Sequence, residues 1–297
     1  MQTLAQIREM LESRGLSPRK SLGQNFLIDH NLIAKLIDAA REHAGLASGH
    51  VVLEIGPGTG VLTQALLEMG ARVVACELDR GLSALLRETL GARFGADQFT
   101  LVEGDCLESK HALNPAVLDA VKAYTGDGAD AKAFTLIANL PYGAATPAMM
   151  TLLADHPRCN GVFVTIQQEV ADRMLARAHS KDYGPLSVLV SAVTKAWQVA
   201  KLPPECFWPR PGVHSAMVAA VRVDGLVAVD EARGLVDFAQ GLFEQRRKQI
   251  GSVLAKQDKE RQRKREIDWP TGITATMRAE ELSPGQFVEL MRKTGRD

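Results

Sequence analysis

Five short apolar runs, each followed by a segment of helical periodicity, constrain the fold of this chain more than any other feature of its sequence. The runs occupy residues 51–55, 72–77, 99–103, 134–138 and 161–166. Alternating strand and helix signals are typical of a parallel β-sheet with crossover helices. We therefore expect an α/β fold whose doubly wound sheet is mostly parallel.

Two further strands and a helical tail follow the alternating part. Residues 196–200 and 216–223 predict a hairpin, which brings the sheet to seven strands. We expect the prolines of residues 202–211 to prevent regular structure between these two strands. From about Asp224 the pattern is wholly helical, so we predict a larger domain over residues 1–223 and a small all-helical domain over residues 224–297.

Local signals mark where several of these elements begin and end. Asp29 is a plausible cap for an amphipathic helix that starts at about residue 30. Gly70 is placed to end the first crossover helix. The polar insertion over residues 108–133 should be part helix and part surface loop.

A glycine-rich loop lies between the first strand and its helix, where backbone amides can approach a ligand. Gly56, Gly58 and Gly60 are spaced as Gly-x-Gly-x-Gly, which differs from the spacing of dinucleotide-binding folds. Pro57 also removes one amide donor that would hold a pyrophosphate. The loop therefore favours a nucleoside without phosphates.

Polar side chains stand at the ends of the next three strands, where ligands of open α/β sheets bind. The carboxylate of Glu77 can accept hydrogen bonds from both ribose hydroxyls, and that of Asp105 can accept one from an adenine amino group. Asn139 ends the fourth strand. Together with the glycine loop, these residues predict that the cofactor is S-adenosylmethionine, bound by Gly56, Gly58, Glu77 and Asp105 with Asn139 beside it.

The tetrapeptide that begins at Asn139 suits the capture of a planar amine. The amide oxygen of Asn139 and a backbone carbonyl at Leu140 or Pro141 can each accept a hydrogen bond from an exocyclic amino group, while the ring of Tyr142 can stack on the attached base. Asn and Pro are also common in turns, so the tetrapeptide alone leaves a plain strand end as an alternative. Combined with the cofactor residues, it predicts Asn139, Pro141 and Tyr142 as catalytic.

Composition excludes several other classes of protein. No apolar run approaches the roughly 20 residues of a membrane span. The N-terminus carries charges where a signal peptide would be apolar, so we expect a cytoplasmic protein without a membrane partner. The four cysteines are scattered, without the spacing of a zinc site, so we expect free thiols and no metal.

Basic residues cluster late in the chain although the formal net charge is zero. Between residues 241 and 265 there are nine Lys or Arg against three acids. We predict that Arg246, Arg247 and Lys248 contact an RNA backbone. A solvated helix face, or a set of side chains that packs the two domains together, is the alternative explanation.

The sequence resembles the KsgA-type ribosomal RNA adenine dimethyltransferases of the small ribosomal subunit over nearly all of its length. The matching segments are residues 21–27, 54–60, 77–79, 104–105, 139–142, 168–173, 183–187, 245–248 and 278–282. This resemblance implies a Rossmann-like class I methyltransferase fold. It also implies that Asn25, Leu27, Gly56, Glu77, Asp105 and Asn139 line the S-adenosylmethionine site.

The activity implied by the resemblance is the transfer of two methyl groups to N6 of each of two adjacent adenosines near the 3′ end of small-subunit rRNA. The implied partner is a pre-30S-type ribosomal particle, and we expect the enzyme to act as a monomer. Gly143 departs from the family pattern, which usually has Asn there, and His214 stands where Asp is common. Gly143 removes a side chain beside the expected target pocket.

Other activities share part of these motifs. A methyltransferase for one adenine of large-subunit rRNA, of the antibiotic-resistance type, would have the same cofactor motifs and amine grip but matches the C-terminal segments less well. A methyltransferase for DNA adenine or protein glutamine would leave residues 245–248 unexplained. A weakly catalytic protein that binds pre-ribosomes is a third alternative, although an intact Glu77, Asp105 and Asn139 favour catalysis.

Overall fold

A seven-stranded sheet organises the chain, which the computed structural model describes over residues 3–260 and 267–295. Its strands and two short additional pairs are β1 Phe26–Leu27, β2 Val51–Ile55, β3 Arg72–Glu77, β4 Phe99–Glu103, β5 Leu107–Ser109, β6 Ala112–Leu113, β7 Phe134–Asn139, β8 Cys159–Gln167, β9 Thr194–Leu202, β10 Phe207–Trp208 and β11 Ser215–Arg222. The order across the large sheet is β4, β3, β2, β7, β8, β11, β9.

Parallel pairing dominates the large sheet. Strand β2 pairs in parallel with β3 on one side and with β7 on the other. Strands β4 and β8 extend these two sides in parallel, whereas β11 runs antiparallel to β8. The mostly parallel seven-stranded sheet of the sequence prediction is therefore confirmed, and the five apolar runs coincide with β2, β3, β4, β7 and β8.

Helices connect and cover the strands. They are α1 Leu4–Glu12, α2 His30–Ala44, α3 Val61–Glu68, α4 Arg80–Leu86, α5 Pro115–Thr125, α6 Ala145–Asp155, α7 Gln168–Met174, α8 Pro185–Val193, α9 Ala232–Phe243, α10 Ile250–Glu260 and α11 Pro284–Thr294. Asp29 caps α2 by accepting hydrogen bonds from the amides of Asn31 and Leu32, as predicted. Gly70, with φ +86°, follows the end of α3.

The chain divides into two compact units. The first comprises the described residues up to Thr151, with Arg158–Ala171 and Trp197–Val221. The second comprises Leu152–Pro157, Asp172–Ala196 and the described residues from Arg222 onward. The functional boundary that the sequence places at residue 224 stays a prediction.

One hydrophobic core holds the first unit together. Alternate residues of the strands face it, including Val52 and Val73, which have no exposed surface. Apolar residues of helices α1 to α4 pack against that face of the sheet, among them Ile7 and Leu36. At about 25 cal/mol per Å² of buried apolar surface, this packing is the main stabilising contribution to the unit. Helix α5 packs against β2, β3 and β4.

The segment between β9 and β11 is more regular than the sequence predicts. Its prolines were expected to prevent regular structure, but Phe207–Trp208 forms a short strand. This strand pairs antiparallel with Phe26–Leu27. The prediction was wrong at this point because Phe207 and Trp208 lie between prolines and retain their own backbone N–H groups, which can pair across a sheet.

The regular structure of the second unit is mainly helical. Helices α8, α9 and α11 pack against one another, and α10 packs against α9. The rings of Tyr183 and Phe287 each lie within 6 Å of the ring of Phe243, at 5.8 Å and 5.7 Å. Within residues 3–260 and 267–295, no helix is both long and apolar enough to cross a membrane.

Candidate active site

A cavity of about 460 Å³ lies in the first unit, at the carboxyl ends of β2, β3, β4 and β7. It is lined by Ser21, Leu22, Gly23, Gln24, Asn25, Phe26, Ile55, Gly56, Gly58, Cys76, Glu77, Leu78, Gly104, Asp105, Cys106, Leu107, Asn139, Leu140, Pro141, Tyr142, Gly143 and Ala144. This volume is in the range of small-molecule sites, and the location is where open α/β sheets bind ligands.

Two glycines of the loop after β2 allow the backbone to reach the cavity. Gly56 and Gly58 have φ values of +72° and +61°, which side chains rarely permit. A Cβ atom on Gly56 would lie 2.7 Å from Cγ of Pro141, and one on Gly58 would lie 2.8 Å from the ring of Phe26. Each position therefore requires glycine for its conformation and for space.

Glu77 ends β3 and is held by the loop it faces. One carboxylate oxygen accepts the Gly58 amide hydrogen at 3.1 Å, and the other accepts that of Asp79 at 2.9 Å. Burial raises the pKa of Glu77 above its ordinary value, and these two hydrogen bonds, which favour the charged form, offset only part of that rise. The carboxylate is therefore fixed in place at the cavity wall, where it can accept further hydrogen bonds from a ligand.

Residues after β3 and β4 form the part of the cavity suited to a base. Asp105 accepts the Leu107 amide hydrogen at 2.9 Å, which fixes its carboxylate. Leu78 is 50% exposed although it is apolar, so it offers a flat hydrophobic contact. Burial raises the pKa of the Cys106 thiol to about 12, so Cys106 is a protonated wall residue and not a nucleophile.

Asn139 ends β7 with its amide oriented by the backbone of Asn25. Its Nδ2 donates to the carbonyl oxygen of Asn25 at 2.9 Å. A carbonyl oxygen can only accept, so the amide must present its NH2 group to Asn25. This leaves Oδ1 of Asn139 available as an acceptor at the cavity.

Tyr142 and Gly143 lie just beyond Asn139. The Tyr142 hydroxyl is 3.4 Å from Oγ of Ser215, and burial raises the pKa of Tyr142. A Cβ atom on Gly143 would meet nothing within 4 Å. The missing side chain noted in the sequence therefore leaves open space beside the aromatic ring.

The structure brings together most of the residues predicted for the site. The cavity is lined by Asn25, Gly56, Gly58, Glu77, Asp105, Asn139, Pro141 and Tyr142. Leu27 is not among its described lining residues and pairs with Phe207 in the two-stranded ladder. Sequence reasoning assigned no role of their own to Gln24 and Leu78, although both fall within segments that match the family.

The charges of the cavity indicate what it can hold. Its described lining contains two carboxylates, from Glu77 and Asp105, and no Lys or Arg. A phosphate would lack a cationic partner here, whereas a nucleoside that carries a positive sulfonium fits the wall. Over the described ranges 3–260 and 267–295, no group of three or more His, Cys, Asp or Glu side chains is placed to hold a metal ion.

A buried carboxyl lies in β2, just before the glycine loop. Glu54 is 1% exposed, and its Oε2 has no hydrogen-bond partner among the described residues. Burial, with a smaller contribution from the charge of Glu77, raises the pKa of Glu54 to about 8. Glu54 is therefore expected to keep its proton at neutral pH.

The predicted RNA-contacting residues lie in the second unit and differ in their surroundings. The guanidinium of Arg246 pairs with Glu280 and donates to the backbone carbonyls of Ser180 and Lys181. Arg247 and Lys248 are exposed. The remaining basic residues of the cluster at positions 261, 263, 264 and 265 lie outside the described residues.

The fold and the cavity define a class I methyltransferase that binds a nucleoside cofactor. The family model for ribosomal RNA adenine dimethylase matches residues 15–294. The chain therefore belongs to the ribosomal RNA adenine dimethylase family, as its sequence motifs predict. It is an enzyme of the methyltransferase class and uses S-adenosylmethionine as its cofactor.

Individual relatives agree with this assignment. The chain is 38% identical over 292 residues to the ribosomal RNA small subunit methyltransferase A of Moorella thermoacetica, covering 98% of this chain and 96% of that one. A crystal structure of a dimethyladenosine transferase from Plasmodium falciparum has a TM-score of 0.63 at 21% identity, covering 90% and 97% of the two chains. The 23S rRNA methyltransferase ErmE has a TM-score of 0.59 at 22% identity, covering 91% and 100%. At these identities, the two structures confirm the fold alone.

Replacing Glu54 by Gln should remove the loss of stability that wild type shows as pH rises. The pKa of Glu54 rises from 4.5 to about 8 on folding, so the folded protein keeps a proton that the unfolded chain releases between these values. Wild type should match the variant below about pH 4.5 and lose roughly 3 to 5 kcal/mol relative to it as pH rises to about 8.

Thermal unfolding of both proteins between about pH 4 and 9 measures this difference. Glu12→Gln is the control, because Glu12 is exposed. If the melting temperatures of wild type and Glu54→Gln changed with pH in the same way, the assignment of a buried, protonated Glu54 would be contradicted.

Proposed function

We propose that this protein transfers methyl groups from S-adenosylmethionine to N6 of two adjacent adenosines near the 3′ end of small-subunit rRNA, giving N6,N6-dimethyladenosine. The observation that carries the proposal is the amide of Asn139. Its NH2 group is held by the Asn25 carbonyl at 2.9 Å, so its oxygen is an acceptor for an amine at the cavity. Adenine N6 is such an amine.

The proposed reaction depends on alignment. The bound cofactor supplies a methyl group already activated by its sulfonium. The protein has to hold the target nitrogen in line with that group, and Asn139 with the backbone carbonyl of Leu140 provides two acceptors for the N6 hydrogens. These hydrogen bonds favour a pyramidal nitrogen with its lone pair directed at the methyl group, because the lone pair is otherwise spread into the ring. The Pro141 carbonyl is less suited as an acceptor, because it already accepts the amide hydrogens of Ala144 and Ala145 at 3.0 Å and 3.1 Å.

Magnitudes support alignment over proton transfer as the main source of catalysis. Orientation in well-aligned systems contributes about 7 to 11 kcal/mol. A general base contributes roughly 3 to 5 kcal/mol. We therefore assign no general base. The N6 proton can leave to solvent after transfer, when the nitrogen has become cationic and acidic.

The target base has to leave its stack to reach Asn139. Tyr142 directly follows Pro141 and lines the same cavity, so its ring can stack on the entering adenine. The open space at Gly143 leaves room beside that ring. Single-stranded loops and flipped bases are the RNA forms that such a pocket accepts.

The choice of the small subunit rests on the relatives that match the chain over nearly its full length, which carry a small-subunit name. We propose a pre-30S-type particle as the substrate and a monomeric enzyme acting in the cytoplasm. The fold alone does not separate this activity from a large-subunit methyltransferase, because ErmE shares it. The 38% sequence identity of the small-subunit relative over 292 residues, compared with 22% for ErmE, favours the first activity.

The substrate is tested by incubating the protein with labelled S-adenosylmethionine and either small or large ribosomal subunits from cells that lack the modification. We expect label on two adjacent adenosines of the small-subunit rRNA. Label on one adenine of large-subunit rRNA would establish the alternative activity. Binding to the small subunit without label on either RNA would identify a protein with little catalytic function.

Replacing Asn139 by Ala should reduce methyl transfer by about 10²-fold or more, because the target amine loses its side-chain acceptor and its alignment. Cofactor affinity should stay within about three-fold of wild type. Single-turnover rates and calorimetry measure the two effects. Asn31→Ala is the control, since Asn31 is an exposed amide on α2. Near-normal turnover of Asn139→Ala would show that Asn139 does not hold the amine.

We further propose that Arg247 and Lys248 contact the RNA backbone, whereas Arg246 is structural. Both proposed contacts are exposed, and the guanidinium of Arg246 is already bonded to Glu280 and two backbone carbonyls. A cation whose hydrogen-bond donors are occupied within its own unit has fewer left for phosphate. The RNA contact predicted for Arg246, Arg247 and Lys248 is thereby limited to Arg247 and Lys248.

Replacing Arg247 and Lys248 together by Ala should flatten the salt dependence of RNA binding by up to about 2 units of log-log slope, since each lost phosphate contact removes close to one. The melting temperature should not change. Arg246→Ala should instead lower the melting temperature, because it leaves Glu280 without its partner. An unchanged salt slope in the double variant would contradict the RNA contact.

A further inference from the structure

We propose that Gln24 and Arg19 are positioning residues for catalysis, which set the orientation of the Asn139 amide through the backbone of Asn25. We call residues 19–25 the strap. The inference rests on the proposed function, because it concerns how the acceptor for the target amine is held. It gives a role to the side chains of Arg19 and Gln24, for which the sequence predicts none.

Gln24 closes the strap on itself. Its side-chain oxygen accepts the Arg19 amide hydrogen at 2.7 Å, and its own backbone N–H donates to the Arg19 carbonyl at 3.3 Å. Two hydrogen bonds between the same pair of residues fix the turn between them. The side chain of Gln24 therefore determines where the next residue, Asn25, is placed.

Asp79 anchors this turn to the sheet. Nε2 of Gln24 donates to Oδ2 of Asp79 at 3.4 Å, and Nε of Arg19 lies 3.2 Å from the same oxygen. Asp79 is 4% exposed, and its Oδ1 accepts the amide hydrogens of Gly81 and Leu82 at the start of α4. The carboxylate is thus held in place, and the side chains of Gln24 and Arg19 both contact its Oδ2 atom.

The other end of the strap holds the catalytic amide. Nδ2 of Asn25 donates to the Gly23 carbonyl at 3.0 Å, and the Asn25 carbonyl accepts from Nδ2 of Asn139. Rotating the Asn139 amide by half a turn would place its oxygen against the Asn25 carbonyl, which is two acceptors in contact. The position of Asn25 therefore selects the amide orientation in which the oxygen is available to the target nitrogen.

Loss of the strap's hydrogen bonds would leave the orientation of the Asn139 amide unfixed. If Gln24 or Arg19 loses its contacts, the Asn25 carbonyl can move away and the Asn139 amide can rotate. A rotated Asn139 amide would direct its N–H groups at the target amine. The hydrogens of that amine also need acceptors, so the hydrogen bond would be lost. Glu77 and Asp105 are bonded to the glycine loop and to the Leu107 amide, so the ribose and adenine contacts do not depend on the strap.

The test compares Gln24→Ala and Arg19→Gln with the control Arg14→Gln. Arg14 also lies in the N-terminal segment and pairs with Glu88. Among the described residues, its guanidinium donates to Glu88, Met10 and Ser13, and not to the strap or Asp79. Arg19→Lys restores the positive charge. Single-turnover methyl transfer, calorimetric affinity for S-adenosylmethionine and the melting temperature are measured for each protein.

We expect Gln24→Ala and Arg19→Gln to lower the methyl-transfer rate by about 10- to 100-fold, since a displacement of about 1 Å can cost that much. Cofactor affinity should stay within about three-fold, and Arg19→Lys should recover part of the rate. Equal losses of rate and cofactor affinity would overturn the proposal in favour of a binding role. So would an equal loss in Arg14→Gln, or no loss in the strap variants.

A spectroscopic measurement separates this inference from the proposed substrate. The side-chain NH2 resonances of Asn139, assigned from their absence in Asn139→Asp, should show slow hydrogen exchange in wild type and in Arg14→Gln. Exchange should be faster by about 10-fold or more in the two strap variants, because the bond to Asn25 is no longer fixed. Unchanged exchange would overturn the inference even if the small subunit is methylated, whereas a changed rate supports it whichever RNA is the substrate.

Discussion

The parallel pairing of β2 with β3 on one side and β7 on the other is the constraint on which the site depends. Parallel strands end at the same edge of a sheet, so residues that are far apart in the sequence are delivered to one place. Gly56, Glu77 and Asn139 each follow or end one of these three strands. An antiparallel arrangement of the same strands would send the glycine loop and the amide to opposite edges.

Much of this arrangement could be predicted because its signals are local. Strands β2, β3 and β7 are mostly apolar runs, since the sheet is buried on both faces there. The glycine loop and the carboxylates directly follow such runs, so their positions follow from the strand assignments. Phe207–Trp208 was missed because two residues carry too little periodicity to indicate a strand, and its partner lies about 180 residues earlier in the chain.

Side-chain pairings between distant segments could not be predicted. Gln24 meets Asp79 across 55 positions, and Arg246 meets Glu280 across 34. In the sequence, Arg246 is indistinguishable from its neighbour Arg247, yet one is bonded within the second unit and the other is exposed. Such differences depend on which backbone carbonyls and carboxylates the fold brings near, and a run of charges contains no information about them.

The contact between Gly56 and Pro141 also restricts how this enzyme could be redesigned. A Cβ atom at position 56 would lie 2.7 Å from the proline ring, so the cofactor loop and the amine-binding motif fit each other as one packed surface. Grafting a target-recognition loop from another methyltransferase would change the proline side of that surface and leave either a void or a clash at the glycine side. The two segments therefore form a single module, to be exchanged together when the specificity of the enzyme is altered.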